Sequence, residues 1–284
     1  MAPRTAPNTT LTLTTLLGDR YRTPVFFENP EVQMFPCTIE TILAHKSTRS
    51  FLPTPLSRGV LENLIAAAQS APTSSMQQSY SIIAIQDSAH KDAVSRICGN
   101  QDFIRQAPLF LIFCADLNRM SRISEKYEVE NKALERIDML LTAVVDAALA
   151  AQNAVVAAEA IGLGTCFVGG VRNHAKELVE LLNIPERMFG LVGLAIGYSD
   201  PSVKEEVKPR LPMEEILHYE RWNGSRQEGN MRLFDEVMGR HHHRLLKIGR
   251  RPWSEFVAEW EADGVLDGRE NMRALLEDQG FGLN

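Results

Sequence analysis

The stretch VVDAALAAQNAVVAAEAIGLGTCFVGGVRN, residues 144–173, decides the fold class of this chain. An apolar helical pattern runs through its first half and stops at the glycines of residues 162–164. Residues 165–168 are typical of a buried strand, and Gly169-Gly170 makes the turn into another helix. A helix that is apolar nearly all round belongs at the centre of a large core or of a dimer. We therefore predict an α+β domain built around this helix and strand.

The apolar segment from Met139 to Leu163 is also about as long as a bilayer span. Ionisable groups in the middle of a bilayer are energetically costly, however. The segment is interrupted by Asp146, Gln152, Asn153 and Glu159. We therefore expect a buried helix and no membrane partner.

Helical and strand-like patterns alternate on both sides of this segment. Strands are predicted at residues 81–85, 109–114 and 191–196. Helices are predicted up to His45 and at residues 58–70, 88–97, 175–182 and 254–262, with Ser57 as the N-cap of the second. We predict an exposed connection at residues 119–135 and a polar, loop-like excursion at residues 200–251. The pattern indicates a mixed domain of helices around about four strands.

The N-terminal residues differ in composition from the rest, since the first 18 hold only one charged residue, Arg4, among many threonines and prolines. We interpret residues 1–36 as an N-terminal extension, a flexible arm, and residues 37–284 as one domain that includes the excursion. A chain of 284 residues buries enough surface to need no disulfide or metal ion.

Charge and cysteine content narrow the class of protein. The 30 basic and 36 acidic side chains give a net charge of −6, which argues against a general nucleic-acid binder. The four cysteines, Cys37, Cys98, Cys114 and Cys166, lack the spacing of metal ligands. We predict that three of them are core thiols in a reducing compartment, the cytoplasm, and that the chain holds no metal.

Two basic clusters far apart in the sequence suit an anion. His45, Lys46 and Arg49 lie within five residues of the sequence HKSTR, beside two hydroxyls, and charge-assisted donors at this density suit a phosphate. Lys208 and Arg210 flank a proline that restricts the backbone between them. Each cluster taken alone is more simply explained as a solvated basic loop.

Two further loops could bind a flat, polar ligand. Residues 70–79 offer several hydroxyls and two side-chain amides between a helix and a strand, enough to read the edge of a heterocycle. Gly169-Gly170 would let bare backbone approach such a ligand closely. The alternatives are an ordinary polar loop and an ordinary turn. Residues 162–165 do not make a dinucleotide fingerprint, because they lead from a helix into a strand.

The sequence RHHHRLLKIGRR, residues 240–251, holds five fixed cations, three histidines and no acid. Three consecutive histidines cannot all face one metal ion, so a metal site is not expected. We interpret residues 240–251 either as an exposed basic patch or as a surface that attracts the phosphate of a nucleotide.

Taken in order, these motifs resemble the flavin-dependent nitroreductase family, and most closely its NADPH-preferring branch of oxygen-insensitive nitroreductases and NADPH–flavin oxidoreductases. The resemblance covers roughly residues 38–264. The matching text is HKSTRSF (45–51), SSMQQ (74–78), GNQDFIRQAP (99–108), FCADLNR (113–119), residues 144–173, KPRLP (208–212) and RRP (250–252).

This resemblance implies an α+β nitroreductase-like fold, with a central mixed, mostly antiparallel sheet flanked by helices. It also implies an intertwined homodimer with one FMN in each of two interface sites. The implied FMN contacts are His45, Lys46, Ser47, Arg49, Ser74, Ser75, Gln78, Gln101, Val168, Gly169, Gly170, Lys208 and Arg210. The implied substrate face comprises Ser75, Met76, Val168, Arg240 and Arg251, with Arg240 meeting the NADPH phosphate. Lys46 stands where the family more often has arginine, and Met76 where better-known members have an aromatic residue.

The resemblance also implies the activity. The chain is expected to pass two electrons from NADPH through bound FMN to nitroaromatics, quinones or flavins by a ping-pong mechanism. The cofactor supplies the chemistry at its N5 atom, so no catalytic side chain is expected. The alternative is a non-catalytic flavin-binding or redox-sensing protein.

Overall fold

The computed structural model describes Gly18 and residues 20–22, 37–241, 252–262 and 264–284. The chain divides into two compact units. The first unit comprises residues 1–46 and 206–264, and the second comprises residues 47–205 and 265–284. Most of the predicted arm, residues 1–36, lies outside the described residues.

The second unit is built on a four-stranded sheet. Its strands lie in the order β1-β2-β4-β3, and all neighbouring pairs are antiparallel. The parallel part of the predicted mixed sheet is a single bridge between Ser47 and Thr165. The strands are β1 Tyr80–Ile85, β2 Leu109–Asp116, β3 Gly164–Val168 and β4 Met188–Gly197.

Eleven α-helices occur in the part of the chain that the structure describes from Cys37 onward. They are α1 Cys37–Leu43, α2 Val60–Gln69, α3 Ser88–Ile97, α4 Asp102–Gln106, α5 Asn118–Lys126, α6 Ile137–Ala160, α7 Ala175–Leu182, α8 Met213–Ile216, α9 Gln227–Arg240, α10 Trp253–Ala262 and α11 Met272–Asp278. Short 3₁₀ turns occupy Ser74–Met76, Lys132–Glu135, Gly169–Arg172 and Arg269–Asn271.

Strand β2 is buried on both faces, which explains why its sequence is apolar almost throughout. Leu109, Leu111 and Phe113 pack with α2 and α6 on one face. Phe110 and Ile112 pack with α3, α4 and α7 on the other. Since each fully buried side chain of this size contributes about 1.5–3 kcal/mol, the two layers form the main core of the second unit.

Helix α6 is the core helix that its sequence predicts. It packs against α2 and all four strands, and its buried side is mostly alanine, which allows close approach to the sheet. By length and composition it could cross a bilayer, but 44% of its most apolar window is buried within this chain, and core helices of globular proteins pass the same test. Four apolar side chains on its other side are 41–55% exposed: Ile137, Leu141, Val145 and Leu149.

The cysteines behave as predicted. Cys98, Cys114 and Cys166 are buried, Cys37 is exposed, and all four are free thiols. Burial raises the pKa of Cys98 to about 12, and burial together with the charge of Asp116 raises that of Cys114 to about 12. These two thiols are therefore packing groups rather than nucleophiles.

The excursion at residues 200–251 was wrongly predicted as loop, because it contains α8 and α9. Apolar residues are sparse in α9, but Phe234 and Val237 lie on one face and are buried. The Phe234 ring meets Trp253 edge-on at 5.1 Å. The Ser254 hydroxyl donates to Asp235 Oδ2 at 2.6 Å, which fixes the start of α10 against α9. Tertiary packing therefore stabilises a helix that has a weak sequence signal.

Two smaller predictions also needed correction. The connection at residues 119–135 is exposed, as expected, but it contains most of α5. Ser57 is not the N-cap of α2; that position is Gly59, whose φ of +85° suits glycine.

The C-terminal residues 265–284 return to the second unit. The Gln279 side chain donates to the Met188 carbonyl at 3.0 Å, and the Phe281 ring meets Phe189 edge-on at 5.6 Å. A Cβ on Gly282 would lie 2.1 Å from the Cα of Glu135, so only glycine fits there. This docking fixes the position of the segment that carries Arg269.

Candidate cofactor-binding and active site

One buried carboxylate holds the polar loop between α2 and β1 at both ends. Asp146, which is 1% exposed on α6, accepts the N–H of Ser74 at 3.0 Å through Oδ1 and the N–H of Ser79 at 3.0 Å through Oδ2. Hydrogen bonds to a charged group contribute about 1.5–3 kcal/mol each. Asp146, which interrupts the apolar sequence of α6, therefore anchors this loop.

The backbone between these two anchors is strained. Ser75, Met76 and Gln78 have φ values of 48°, 54° and 53°, in the left-handed region that costs about 1–3 kcal/mol for a non-glycine residue. Arg119 supports the loop from outside, since its Nη1 donates to the Gln78 carbonyl at 2.6 Å. The predicted contact residues Ser74, Ser75, Met76 and Gln78 are all exposed, and Met76 is 82% exposed. The loop is thus shaped in advance to present them.

The two glycines after β3 have different surroundings. A Cβ on Gly170 would lie 2.7 Å from the carbonyl oxygen of Cys98 and 3.0 Å from Nε2 of Gln101, so this position is closed to a side chain. A Cβ on Gly169 would meet nothing nearer than 3.5 Å. Val168 is 2% exposed as a whole residue and packs in the core. Gly170 is thus the packing residue of the turn, and Gly169 is its open residue.

Gln101, a predicted cofactor contact, lies beside this turn. Its Nε2 donates to the Cys98 carbonyl at 2.6 Å, and this bond holds the side chain next to Gly170. The structure therefore brings together Gln101 and the glycine pair, which are far apart in the sequence.

Two guanidinium groups that the sequence reasoning missed lie beside Gly169. A Cβ there would lie 3.5 Å from Nη2 of Arg172 and 3.6 Å from Nη2 of Arg269. Arg269 Nε donates to Asn173 Oδ1 at 2.9 Å, and Arg172 donates to the Leu191 carbonyl. Burial, and then the charge of Arg269, lower the pKa of Arg172. Two cations this close favour an anionic or electron-rich ligand beside the open glycine.

The sequence contains only indirect signs that these two arginines belong to the site. Arg172 ends the sequence GGVR, two residues after the glycine pair. Arg269 lies in the C-terminal segment, which is acidic overall, and only its packing against the second unit brings it to the turn. Arg251, the predicted substrate-side arginine, lies outside the described residues. Arg240 is the exposed last residue of α9 in the first unit.

Arg49 carries the observation most specific to a ligand. Its backbone N–H donates to Glu205 Oε1 at 2.7 Å, while Oε2 accepts the Thr48 hydroxyl at 2.8 Å. Its Nη1 is buried and has no hydrogen-bond partner among the described residues. A buried donor without an acceptor is costly, and a phosphate oxygen would satisfy it. Ser47, two residues earlier, is fixed by its bridge to Thr165 in β3.

In the first unit, the two basic clusters are joined through Arg20. Its guanidinium donates to the carbonyls of Leu43, His45 and Lys208, and its own carbonyl accepts the N–H of Arg210. The backbones of these two cation-bearing segments of the first unit are therefore joined through one residue. No group of three or more His, Cys, Asp or Glu side chains that could hold a metal ion occurs in the part of the chain that the structure describes.

Three features suit a phosphate-bearing, planar ligand: the exposed polar loop, the glycine turn beside two guanidiniums, and the buried Nη1 of Arg49, which has no hydrogen-bond partner in the described part of the chain. Comparison with known proteins specifies the family. Residues 42–198 match the nitroreductase family, and residues 208–284 match the family's C-terminal domain. This chain belongs to the nitroreductase family, and it is an oxidoreductase.

Individual relatives match along most of their length. An FMN reductase (NADPH) from Bacillus subtilis is 35% identical over 252 residues, which are 87% of this chain and 99% of the relative. The solved structure of Bacillus megaterium NfrA2 has a TM-score of 0.81 at 34% identity, covering 88% of this chain and 100% of that chain. The NADPH:FMN oxidoreductase of Vibrio harveyi, solved with NAD⁺, has a TM-score of 0.76 at 31% identity, with coverage of 88% and 100%. The predicted α+β nitroreductase fold is confirmed.

Proposed function

We propose that this chain is an FMN-dependent oxidoreductase that takes two electrons from NADPH and passes them to nitroaromatics, quinones or flavins. The observation that carries the proposal is the buried Nη1 of Arg49, which has no acceptor among the residues that the structure describes; an FMN phosphate would supply one. When bound, FMN supplies the redox chemistry by accepting a hydride at N5 and releasing two electrons to an acceptor in a ping-pong cycle.

The residues of each unit have distinct tasks in this proposal. In the second unit, Ser47 and Arg49 bind the phosphate end of FMN. The other contacts of that unit come from Ser74, Ser75, Gln78, Gln101, Val168, Gly169 and Gly170. In the first unit, His45, Lys46, Lys208 and Arg210 are proposed to supply positive charge to the phosphate end as well. Cations beside a flavin make it easier to reduce, because the reduced ring system carries negative charge.

Substrate-side contacts are proposed for Ser75, Met76 and the backbone of Val168. Arg172 and Arg269 join them because their guanidiniums border the open glycine of the turn. A positive field at this point attracts both the phosphates of NADPH and the electron-rich oxygens of nitro and quinone groups. Arg251 remains a proposed residue of the substrate face, and Arg240 a proposed contact of the NADPH phosphate. The exposure of Met76 favours an open, tolerant acceptor site.

We also propose a homodimer that works in the cytoplasm. The exposed stripe Ile137, Leu141, Val145 and Leu149 runs along one side of α6 at a spacing of four residues. Exposed apolar stripes of this kind mark association surfaces, and a second copy of this chain would cover it. The free thiols suit a reducing compartment.

The phosphate assignment is tested by measuring flavin affinity in Arg49→Gln. We expect the Kd for FMN to rise about tenfold or more, because a charge-assisted bond is lost, while the Kd for riboflavin, which lacks the phosphate, stays unchanged. Arg58→Gln, at an exposed arginine nine positions later, is the matched control and should bind FMN as the wild type does. Unchanged FMN affinity in Arg49→Gln would show that the phosphate lies elsewhere.

A further inference from the structure

We propose that Arg20 is a positioning residue of the FMN phosphate site, which gives the segment before the family domain a part in cofactor binding. Arg20 precedes residue 42, where the match to the family begins. The inference rests on the proposed function, in which His45, Lys46, Lys208 and Arg210 supply charge to bound FMN. Arg20 itself does not contact the cofactor; it fixes the backbone on which these cations stand.

The contacts of Arg20 link two distant segments of the first unit. Nη2 donates to the carbonyl of Leu43 at 2.8 Å and to that of His45 at 3.0 Å. Nη1 donates to the carbonyl of Lys208 at 3.2 Å. The backbone N–H of Arg210 donates to the Arg20 carbonyl at 2.8 Å. Through one residue, the end of α1 is therefore tied to both cations of the KPR sequence.

Burial and geometry suit this task. Arg20 is 7% exposed, so its bonds are shielded from competing water. The guanidinium is planar and holds five N–H donors in a fixed fork, which lets one side chain serve carbonyls of two segments at once. A lysine ammonium offers three donors at one point and cannot span the same carbonyls.

The arrangement also answers an electrostatic difficulty. Segments that each carry cations repel one another when they are brought together, and the repulsion is largest before an anion is bound. Hydrogen bonds from Arg20 to the backbone carbonyls of both segments offset this repulsion, although the guanidinium adds a positive charge of its own. A site that is already assembled binds its ligand without the ordering cost that mobile segments carry.

The test compares two flavins, FMN and riboflavin, on the full-length protein carrying Arg20→Gln or Arg20→Lys. A residue that positions phosphate-binding groups affects FMN and leaves riboflavin alone. We expect the Kd for FMN to rise about tenfold in Arg20→Gln and less in Arg20→Lys, because the ammonium retains part of the bonding. The Kd for riboflavin should stay within about twofold of the wild type in both.

Arg22→Gln is the matched control. Arg22 lies two residues away and is exposed, and its bond to the Val207 carbonyl is long, at 3.5 Å. This variant should bind FMN as the wild type does. If Arg20→Gln does not fold, Arg20→Lys decides alone, by the same comparison of the two flavins.

Two results would overturn the inference. One is an FMN affinity unchanged in both Arg20 variants. The other is an equal loss of FMN and riboflavin affinity, which would make Arg20 a general structural residue. A wild-type protein that binds neither flavin would instead refute the proposed function, and the inference with it.

Discussion

At the scale of single residues, the two glycines of the turn after β3 should respond differently to the same substitution. Gly170→Ala forces a methyl group to within 2.7 Å of the Cys98 carbonyl, and such overpacking costs about 1–3 kcal/mol of unfolding free energy. Gly169→Ala places its methyl group at ordinary contact distance and should leave stability within about 0.5 kcal/mol of the wild type. Urea unfolding of both variants measures the difference. Equal destabilisation would contradict the division of roles.

Arg269 should affect substrates more than flavin. In Arg269→Gln we expect kcat/KM for NADPH or for a nitroaromatic acceptor to fall about tenfold, because a charged contact beside Gly169 is lost, with FMN content unchanged. Arg273→Gln, four residues later, is the control, since that exposed side chain pairs with Glu277. Steady-state kinetics with both substrates measures the effect. Wild-type kinetics in Arg269→Gln would remove Arg269 from the substrate face.

The sequence was sufficient to predict the residue types that gather at the site, but not every position. The clusters at His45–Arg49 and Lys208–Arg210 stand out locally because their cations are adjacent in sequence. Three other arginines stand singly in sequence without a motif: Arg20, Arg172 and Arg269. Only the folded backbone brings each of them to a carbonyl group or a glycine. Side chains that act through long-range packing leave no local pattern.

At the scale of elements, α6 and the loop before β1 should prove to be coupled through Asp146. In Asp146→Asn, one backbone N–H faces an amide N–H₂ in place of a carboxylate oxygen, and two charged hydrogen bonds are weakened. We expect unfolding free energy to fall by about 1–3 kcal/mol and the Kd for FMN to rise, because Ser74, Ser75 and Gln78 lose their fixed positions. Chemical unfolding and a fluorescence titration with FMN measure the two effects.

The control for this coupling is Asp138→Asn, in the exposed first turn of the same helix. It changes the charge of α6 by the same amount without touching the loop. If Asp146→Asn binds FMN as tightly as Asp138→Asn does, the loop does not depend on its anchor.

Strong periodic or apolar elements were predictable, and weakly amphipathic helices were not. The boundaries of α3 and α7 match the prediction residue for residue, and β2 and α6 differ only at their ends. Helices α5 and α9 escaped prediction because polar and charged residues together outnumber apolar ones in both. Helix α9 owes its stability to Phe234 and its contact with Trp253, a partner that lies beyond the helix. Propensity alone does not reveal such a contact.

At the scale of the whole molecule, the fold and the family were predictable because several motifs occur in a fixed order along one chain. The order determines the family more strongly than any single motif, since each motif alone has an ordinary structural explanation. The oligomeric state is harder to predict from the sequence. From the sequence alone, the apolar stripe of α6 could equally belong to the core. Only the structure shows that its side chains face outward.

The central claim is that bound FMN carries electrons from NADPH to an acceptor, and anaerobic titration of the flavin-loaded protein with NADPH tests it most directly. The account predicts that about one equivalent of NADPH bleaches the flavin absorbance and that a nitroaromatic or quinone then restores it. Bound flavin that NADPH leaves oxidised would contradict the account and favour a flavin-binding sensor.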